Sequence, residues 1–297
     1  PILGSRLSAD PDPASRLPRM GAVHGVHLKY VAASALCSVC AYHAGPDGER
    51  IMPLRSLLVY SAATHGLFAG LFVARVGMGI LGKQRAAGVV PWWSYLVWAP
   101  FHSFTYLCSP NAPCTHPSPT CTEPRPRCTD RYTYFHTLHS EAHGTPVATE
   151  VAPGWWIGGR YAHWRMPERR WAATIDLTCE FPEGSIRNTS NYLLTPCWDG
   201  VPPTPAQIEE AARLAARACG QGDVMVHCAH GRGRSTTVML ACLVRAGLFS
   251  DWRDAFEAVV QRRPVCRLNS KMRKALDTWE ARYGTAPYSV SSPRPSF

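Results

Sequence analysis

Several kinds of binding motif are missing from this 297-residue sequence. It has no zinc-finger spacing, no helix-turn-helix pattern and no platform of basic and aromatic residues, so we expect no nucleic-acid partner. Acidic residues are also few, 21 against 31 lysines and arginines, which gives a formal net charge of +10. A chain with that balance suits anionic partners such as phosphorylated proteins or acidic phospholipids.

Formal charges are absent from two long segments near the N-terminus. Ser56–Ala74 contains 19 residues and Ala86–Cys108 contains 23, whereas about 20 apolar residues span a bilayer core. We therefore predict a disordered tail over 1–20 and a membrane-spanning helical region over 21–108, with a helical hairpin near 56–74 and 86–108. One span, three spans or a soluble domain with apolar core helices are the alternatives, and Pro100 would kink the second span.

The segment 109–145 is predicted to be a linker, because its first part is rich in proline, threonine and serine. It contains Cys114, Cys121 and Cys128, and Cys108 lies just before it. The close C-x2-C pairs of a zinc site are absent from this segment, so we predict no metal there. Disulfide bonds are the alternative if the segment faces an oxidising compartment.

The most informative segment is a loop in the C-terminal half, with the sequence HCAHGRGRS. A short apolar strand, 223–227, precedes it, and an apolar helix, 235–244, follows it. A strand, a tight glycine-containing loop and a helix start together direct backbone N–H groups at an anion. The predicted phosphate-binding loop consists of His227, Cys228, Ala229, His230, Gly231, Arg232, Gly233, Arg234 and Ser235. We expect the first residue of the loop, His227, to orient the loop from behind.

The side chains of this loop fit a phosphate ester attacked by sulfur. Cys228 becomes a good nucleophile if loop amides, the helix N-terminus and a guanidinium lower its pKa. Gly231 and Gly233 permit backbone angles that are closed to other residues. The planar fork of Arg234 can hold two phosphate oxygens. Ser235 can donate a hydrogen bond to the sulfur of Cys228 when that sulfur becomes the leaving group. The alternative for Cys228 is a buried structural cysteine beside a helix N-terminus.

A proton donor for the leaving oxygen is the second requirement, since a positioned acid typically contributes about 10²–10⁴-fold. The candidate is Asp199, in a loop that follows the apolar start of a strand. Thr204-Pro205-Ala206-Gln207 then has the pattern of a capped helix start. Asp199 therefore lies where the carboxyl ends of two strands can bring it near Cys228. A turn-forming Asp-Gly pair is the alternative.

The stretch from about Glu150 to Tyr283 resembles the cysteine-dependent protein phosphatase superfamily, in particular its dual-specificity branch. The His-Cys-x5-Arg-Ser loop and Trp198-Asp199-Gly200 carry the resemblance. It implies an α/β fold with a mixed central sheet flanked by helices, and neither metal nor cofactor. It also implies that Cys228 is the nucleophile, Arg234 the phosphate clamp and Asp199 the general acid and then base.

The predicted catalytic domain covers 146–285, with a disordered tail over 286–297. The predicted function is a membrane-anchored phosphatase that acts on phosphorylated proteins, with both Ser/Thr and Tyr esters as substrates. A phospholipid or phosphoinositide phosphatase is the alternative, and a non-catalytic phosphate-binding membrane adaptor is the third. Because a catalytic thiol needs reducing surroundings, we place this domain on the cytosolic side of a multi-pass membrane protein. The sequence leaves the oligomeric state open.

Four further residues carry open alternatives. Cys179 or Cys266 could act as a resolving thiol for oxidised Cys228, and the alternative for both is core packing. Arg262 and Arg263, at the end of a predicted helix that Pro264 terminates, could touch anionic lipid. We expect both to be part of a solvated helix end.

Overall fold

The protein is described by a computed structural model over residues 25–44, 52–108 and 146–288. Its N-terminal part contains α1 (Val26–His43), α2 (Met52–Ala74), a 3-10 turn (Met78–Leu81), α3 (Trp92–Val97) and α4 (Ala99–Cys108). Its C-terminal part alternates strands and helices. These are β1 (Ala148–Ala152), β2 (Trp155–Gly159), α5 (Ala162–Arg165), β3 (Trp171–Thr178), a 3-10 turn (Ser185–Asn188), β4 (Thr189–Cys197), α6 (Pro205–Ala218), a 3-10 turn (Cys219–Gln221), β5 (Val224–Cys228), α7 (Arg234–Arg245), α8 (Trp252–Arg262) and α9 (Ser270–Tyr283).

The five strands form one sheet in the order β1-β2-β5-β3-β4. β1 runs antiparallel to β2, whereas the pairs β2–β5, β5–β3 and β3–β4 are parallel. Every residue of β3 and β5 is buried, as expected for central parallel strands covered on both faces. The predicted mixed sheet flanked by helices is confirmed. Parallel strands end at one edge of the sheet, where α/β proteins bind ligands, so Cys228 and Cys197 end their strands at that edge.

The predicted helix start of α6 is also confirmed, and α9 begins with a similar side-chain cap. Thr204 Oγ1 accepts a hydrogen bond from the Gln207 N–H at 3.3 Å, while Gln207 Oε1 accepts one from the Thr204 N–H at 2.9 Å. Pro205 occupies the first position of α6, where its missing N–H leaves no bond unmade. Asn269 Oδ1 accepts from the Met272 N–H at 2.9 Å and caps α9.

The N-terminal helices pack on one another and on the catalytic part. Ser34 Oγ in α1 donates a hydrogen bond to the Ala62 carbonyl in α2 at 2.8 Å, and α4 also packs against α2. An aromatic cluster lies where these helices meet the end of β4. Its large members are Tyr30, Phe68, Phe72, Phe101 and Trp198.

The hydropathy-based prediction of two spans needs correction. Pro53–Ala74 has the length and composition of a membrane span, and it is the one such helix in the described residues. The predicted second span is wrong as a single helix, because α3 ends at Val97 and α4 begins at Ala99. Trp98 leaves helical geometry, with φ −118° and ψ 30°, and Pro100 lies in the first turn of α4, where proline is tolerated. A multi-pass arrangement is therefore not supported.

Several predicted boundaries lie outside the described residues. These include the tail 1–20 and the linker 109–145 with Cys114, Cys121 and Cys128. The C-terminal tail predicted from 286 begins too early. Arg245 Nη1 donates to the Ala286 carbonyl at 2.6 Å, and the Tyr288 N–H donates to the Arg245 carbonyl at 2.8 Å. Hydrogen bonds to the domain thus continue to Tyr288.

A buried carboxylate joins three helices of the catalytic part. Glu209 Oε2 in α6 accepts hydrogen bonds from Nε and Nη2 of Arg245 in α7, both at 3.0 Å, and from Nε1 of Trp279 in α9 at 2.7 Å. A buried guanidinium left without its carboxylate is strongly destabilising. The charge of Glu209 is therefore a structural requirement for packing α6, α7 and α9 together.

We expect Glu209→Ala to lower the free energy of unfolding by about 3–5 kcal/mol, because it leaves Arg245 buried without its carboxylate. Chemical denaturation of the full chain, followed by tryptophan fluorescence, measures the change. Glu210→Ala is the matched control, since Glu210 is exposed on the same helix and surface changes usually stay within about 0.5 kcal/mol. Equal unfolding midpoints for the two variants would contradict this role.

Candidate active site

The loop between β5 and α7 turns tightly against strand β2. Gly231 has φ +66°, in the left-handed region, and a Cβ atom there would lie 2.7 Å from the Gly158 backbone. Glycine is therefore required at 231 for both reasons. Gly233 differs from its prediction, because its φ of −121° is open to other residues.

The sulfur of Cys228 lies in a site that stabilises its anion. Its Sγ is 3.4 Å from Ser235 Oγ, and both residues are buried. Burial alone raises the pKa of the Cys228 thiol. The positive charge of Arg234, the Ser235 hydroxyl and the backbone N–H groups of Ser235 and Arg232 outweigh burial, and the net effect lowers this pKa. The structure thus brings together the thiol of Cys228 and the groups that favour its thiolate.

The guanidinium of Arg234 is buried and held in place by acceptors from two neighbouring strand ends. Nη2 donates to Glu180 Oε1 at 2.8 Å, and Nη1 lies 3.2 Å from Glu180 Oε2. Nη1 also donates to the carbonyls of Cys197 at 2.8 Å and Leu177 at 3.3 Å. Glu180 takes one of the two N–H groups on each terminal nitrogen, so the edge formed by Nε and Nη2 is the part of the fork that is left for a phosphate. Nε, also buried, has no hydrogen-bond partner among the described residues.

Asp199 lies beside this guanidinium, as its position after β4 predicted. Its Oδ1 is 3.4 Å from Arg234 Nη2, and 38% of the side chain is exposed. Burial raises the pKa of Asp199, but the charge of Arg234, with smaller effects from His230 and Lys29, lowers it overall. On the other side of the loop, Asn269 Nδ2 donates to the Gly200 carbonyl at 2.9 Å. Nucleophile, guanidinium and carboxyl group therefore meet at one edge of the sheet.

His227 lies behind the loop within a buried group of charges. Its Nε2 is 2.6 Å from Glu183 Oε2 and 3.7 Å from Asp176 Oδ1. Burial lowers the pKa of His227, but Glu183 and then Asp176 raise it to about 9. Lys83 Nζ donates to Asp176 Oδ2 and to the Thr178 carbonyl, the latter at 2.9 Å. Two cations and two carboxylates therefore balance one another beneath the loop.

The same side chains, Asp176, Glu183 and His227, offer ligand atoms within 4.8 Å of one another. Their residue types could bind a metal ion. However, a histidine with a pKa of about 9 is protonated at neutral pH and has no lone pair to offer. The ammonium group of Lys83 also already contacts Asp176. Lys83 and the protonated His227 thus already supply positive charge to these two carboxylates.

Two residues of the loop differ in charge. Burial, followed by the charges of Arg232, Arg160 and Arg234, lowers the pKa of His230 to about 4, although Asp199 opposes the shift. His230 is therefore neutral at pH 7 and adds no positive charge to the loop. The side chain of Arg232 is exposed at its mouth.

Two residues that hold this site were missed or misjudged from the sequence. Glu180, the carboxylate partner of Arg234, follows the end of β3, and that position was its only available signal. Arg263 is buried, which contradicts both a solvated helix end and contact with lipid. Its Nε donates to the Gly231 carbonyl at 2.9 Å, and its Nη2 lies 3.3 Å from the His230 carbonyl. It thus holds two carbonyls of the loop in place.

No protein-family model matches the sequence, and a comparison with curated proteins gives no match. Solved structures do align with the chain. A variant of human DUSP28 is 23% identical, covers 46% of this chain and 96% of its own, and gives a TM-score of 0.42. Tk-PTP in its active form is 24% identical, with 46% and 98% covered and a TM-score of 0.40.

PTPMT1 in complex with PI(5)P is 18% identical, with 46% and 96% covered and a TM-score of 0.39. DUSP28, Tk-PTP and PTPMT1 are thus solved structures to which the chain is similar over a little under half of its length.

We expect the thiol of Cys228 to ionise below the ordinary cysteine pKa of about 8.5, because Arg234 and Ser235 favour its anion. The rate of iodoacetamide labelling against pH, read by mass spectrometry of the Cys228 peptide, measures it. Ser235→Ala removes one hydrogen bond to the sulfur and should move the midpoint to higher pH. Ser250→Ala is the control, and a midpoint unchanged in Ser235→Ala would contradict the assignment.

Proposed function

We propose that this protein hydrolyses phosphate monoesters through a cysteinyl-phosphate intermediate. The observation that carries the proposal is the meeting of three groups at one sheet edge. Cys228 Sγ lies 3.4 Å from Ser235 Oγ, and Arg234 Nη2 lies 3.4 Å from Asp199 Oδ1. A thiolate, a fixed cation and a carboxyl group are what a two-step displacement at phosphorus requires.

In the first step the Cys228 thiolate attacks phosphorus, the S–P bond forms and the P–O bond to the leaving group breaks. Asp199 transfers its proton to the departing oxygen. Arg234 lowers the pKa of Asp199 in the free protein. A bound phosphate dianion offsets that positive charge and adds negative charge nearby, so it raises the pKa of Asp199 and favours the protonated acid.

In the second step the Asp199 carboxylate removes a proton from water, and the resulting hydroxide attacks phosphorus. The S–P bond breaks, inorganic phosphate leaves and the sulfur departs as a thiolate. The hydroxyl of Ser235 and the charge of Arg234 stabilise that thiolate, as they do in the free protein. No external reductant or cofactor is needed for this cycle.

The proposed role of Arg234 depends on the atom that the protein leaves unpaired. Glu180 and two carbonyls fix the plane of the guanidinium, so little side-chain freedom is lost when substrate binds. The Nε–H, buried and without a partner among the described residues, is a donor available to a phosphate oxygen, and the second N–H of the neighbouring Nη2 lies on the same edge. Backbone N–H groups of the loop supply the remaining donors.

For the substrate we propose phosphorylated proteins, with both Ser/Thr and Tyr esters accepted. A specific observation favours phospholipids or phosphoinositides as a second candidate. Large apolar side chains are exposed on the N-terminal helices that adjoin the site, an arrangement suited to a membrane surface. They include Leu28, Leu36, Leu54, Leu57, Leu67, Val73, Trp92 and Leu96. PTPMT1, one of the similar structures, was solved with PI(5)P.

We also propose that α2 anchors the protein in a membrane, with the catalytic part on its reducing, cytosolic side. The length and composition of Pro53–Ala74 support the anchor, and a catalytic thiol requires the reducing side. The third candidate, a non-catalytic adaptor, is disfavoured because Cys228, Arg234 and Ser235 are all in place.

We expect Cys228→Ser to lower turnover of an aryl phosphate by about 10³-fold or more, because it removes the nucleophile. Phosphate release by the detergent-solubilised full chain measures this loss. The same assay with phosphopeptides and with short-chain phosphoinositides distinguishes the two substrate classes. Faster release from the phosphoinositide would replace our first choice with the second, and unchanged turnover in Cys228→Ser would remove the mechanism.

We expect Asp199→Asn to slow hydrolysis of an alkyl phosphate by about 10²-fold or more, because a poor leaving group needs its proton. The quantity to compare is kcat/KM, which reports the first step and excludes the second, in which Asp199 serves both esters alike. It should fall much less for an activated aryl phosphate. The parent protein should lose kcat as pH rises through the pKa of Asp199 in the substrate complex, and the variant should lose that decline. Steady-state kinetics against pH measures both effects. Equal slowing of the two esters would mean that another group is the acid.

A further inference from the structure

The tryptophan next to the proposed acid is enclosed by the N-terminal helices. Trp198 immediately precedes Asp199 and is fully buried. Its ring stacks on Phe72 of α2, with centroids 4.6 Å apart and an interplanar angle of 24°. Phe68 of α2 and Phe101 of α4 meet it edge-on, at 5.8 Å and 6.1 Å. These rings hold the side chain on several sides.

A directed bond fixes the orientation of the same ring. Trp198 Nε1 donates a hydrogen bond to the carbonyl of Val76, just after α2, at 2.8 Å. A buried indole N–H needs such a partner, so the loop and the N-terminal region are matched in shape and in polarity. From the catalytic part, the Gly200 carbonyl receives one bond from Asn269.

The N-terminal region also contacts the catalytic part through the side chain of Lys83. Lys83, between α2 and α3, is 2% exposed and contacts Asp176 Oδ2. It also donates to Thr178 Oγ1 at 3.0 Å. Asp176 in turn lies 3.7 Å from His227 at the base of the loop. The segment thus contributes a buried cation directly beneath the strand ends that carry the site.

We propose that the N-terminal helical region is a positioning element of the catalytic site, which holds Trp198 and thereby keeps the carboxyl group of Asp199 beside Arg234. The proposal rests on the proposed function of Asp199 as the general acid. Loops that carry functional residues are usually held by the scaffold from which they emerge. In this protein the residues that hold Trp198 in place lie more than 90 positions earlier in the chain. Trp198 is therefore a positioning residue and not a catalytic one.

A misplaced acid has a kinetic signature that differs from a damaged fold. Protonation matters for a poor leaving group and little for an activated one, whereas the nucleophile serves both esters equally. Loosening Trp198 should therefore slow alkyl phosphates selectively. The pH at which Cys228 ionises should stay unchanged, because its principal partners, Arg234 and Ser235, lie outside the aromatic cluster.

The test is Phe72→Ala in the full-length protein, which removes the stacked ring. We expect kcat/KM for an alkyl phosphate to fall about 10-fold, with kcat/KM for an activated aryl phosphate and the labelling midpoint of Cys228 unchanged, because kcat/KM excludes the second step that both esters share. Val73→Ala is the matched control, since Val73 is the next residue of α2 and is 61% exposed. It should alter neither ester.

Trp198→Phe is the second variant, and it decides the matter if Phe72→Ala does not fold. It keeps an aromatic ring but removes the N–H that bonds to Val76, and we expect a smaller loss of about 3-fold with the alkyl ester alone. Equal slowing of both esters, or no change in either, in a folded variant overturns the proposal. If Asp199→Asn slows both esters equally, Asp199 is not the general acid. That result contradicts the proposed function of Asp199 and is distinct from a failure of the positioning proposal.

Discussion

A buried guanidinium at the start of α7 is the constraint on which the rest of the site depends. Burying a charge is unfavourable unless it is paired and hydrogen-bonded, and Arg234 satisfies that requirement with Glu180 and two carbonyls. Its charge also lowers the pKa of both Cys228 and Asp199. One cation therefore favours the ionised form of both the thiol and the carboxyl group, so the charge state of neither can be understood without it.

A second cluster of buried charged side chains lies behind the loop, and its role is structural. His227 and Lys83 carry two positive charges, and Asp176 and Glu183 carry two negative charges, so the group is close to neutral. It therefore adds little attraction for an anion at the sulfur. Its contacts instead join β3, the end of β5 and the segment after α2, which fixes the base of the loop against which Arg234 works.

Local chemistry explains what the sequence could predict. The loop from Cys228 to Ser235, the candidate acid Asp199 and the cap of α6 are each recognisable within a few residues, and the structure brings the first two together. Glu180 could not be predicted, because it lies 54 positions from the guanidinium it pairs with, and many carboxylates could have filled that role. The prediction of a second span was wrong for another reason. A hydropathy pattern shows that a segment lacks charges, but it does not show that the helix is interrupted at Trp98.

Helix α2 shows why hydropathy alone could not place the N-terminal region. Phe68 and Phe72, one turn apart, face Trp198, whereas Leu67 and Val73 are exposed. A helix that is apolar all round is typical both of a protein core and of a membrane span, and α2 has a protein partner on one side only. An α-helix with its side chains is about 10 Å across. The exposed face of α2 is therefore about one helix diameter from the loop that carries Asp199. The proposed anchoring would place that exposed face in lipid, whereas the proposed positioning of Asp199 uses the opposite face of the same helix.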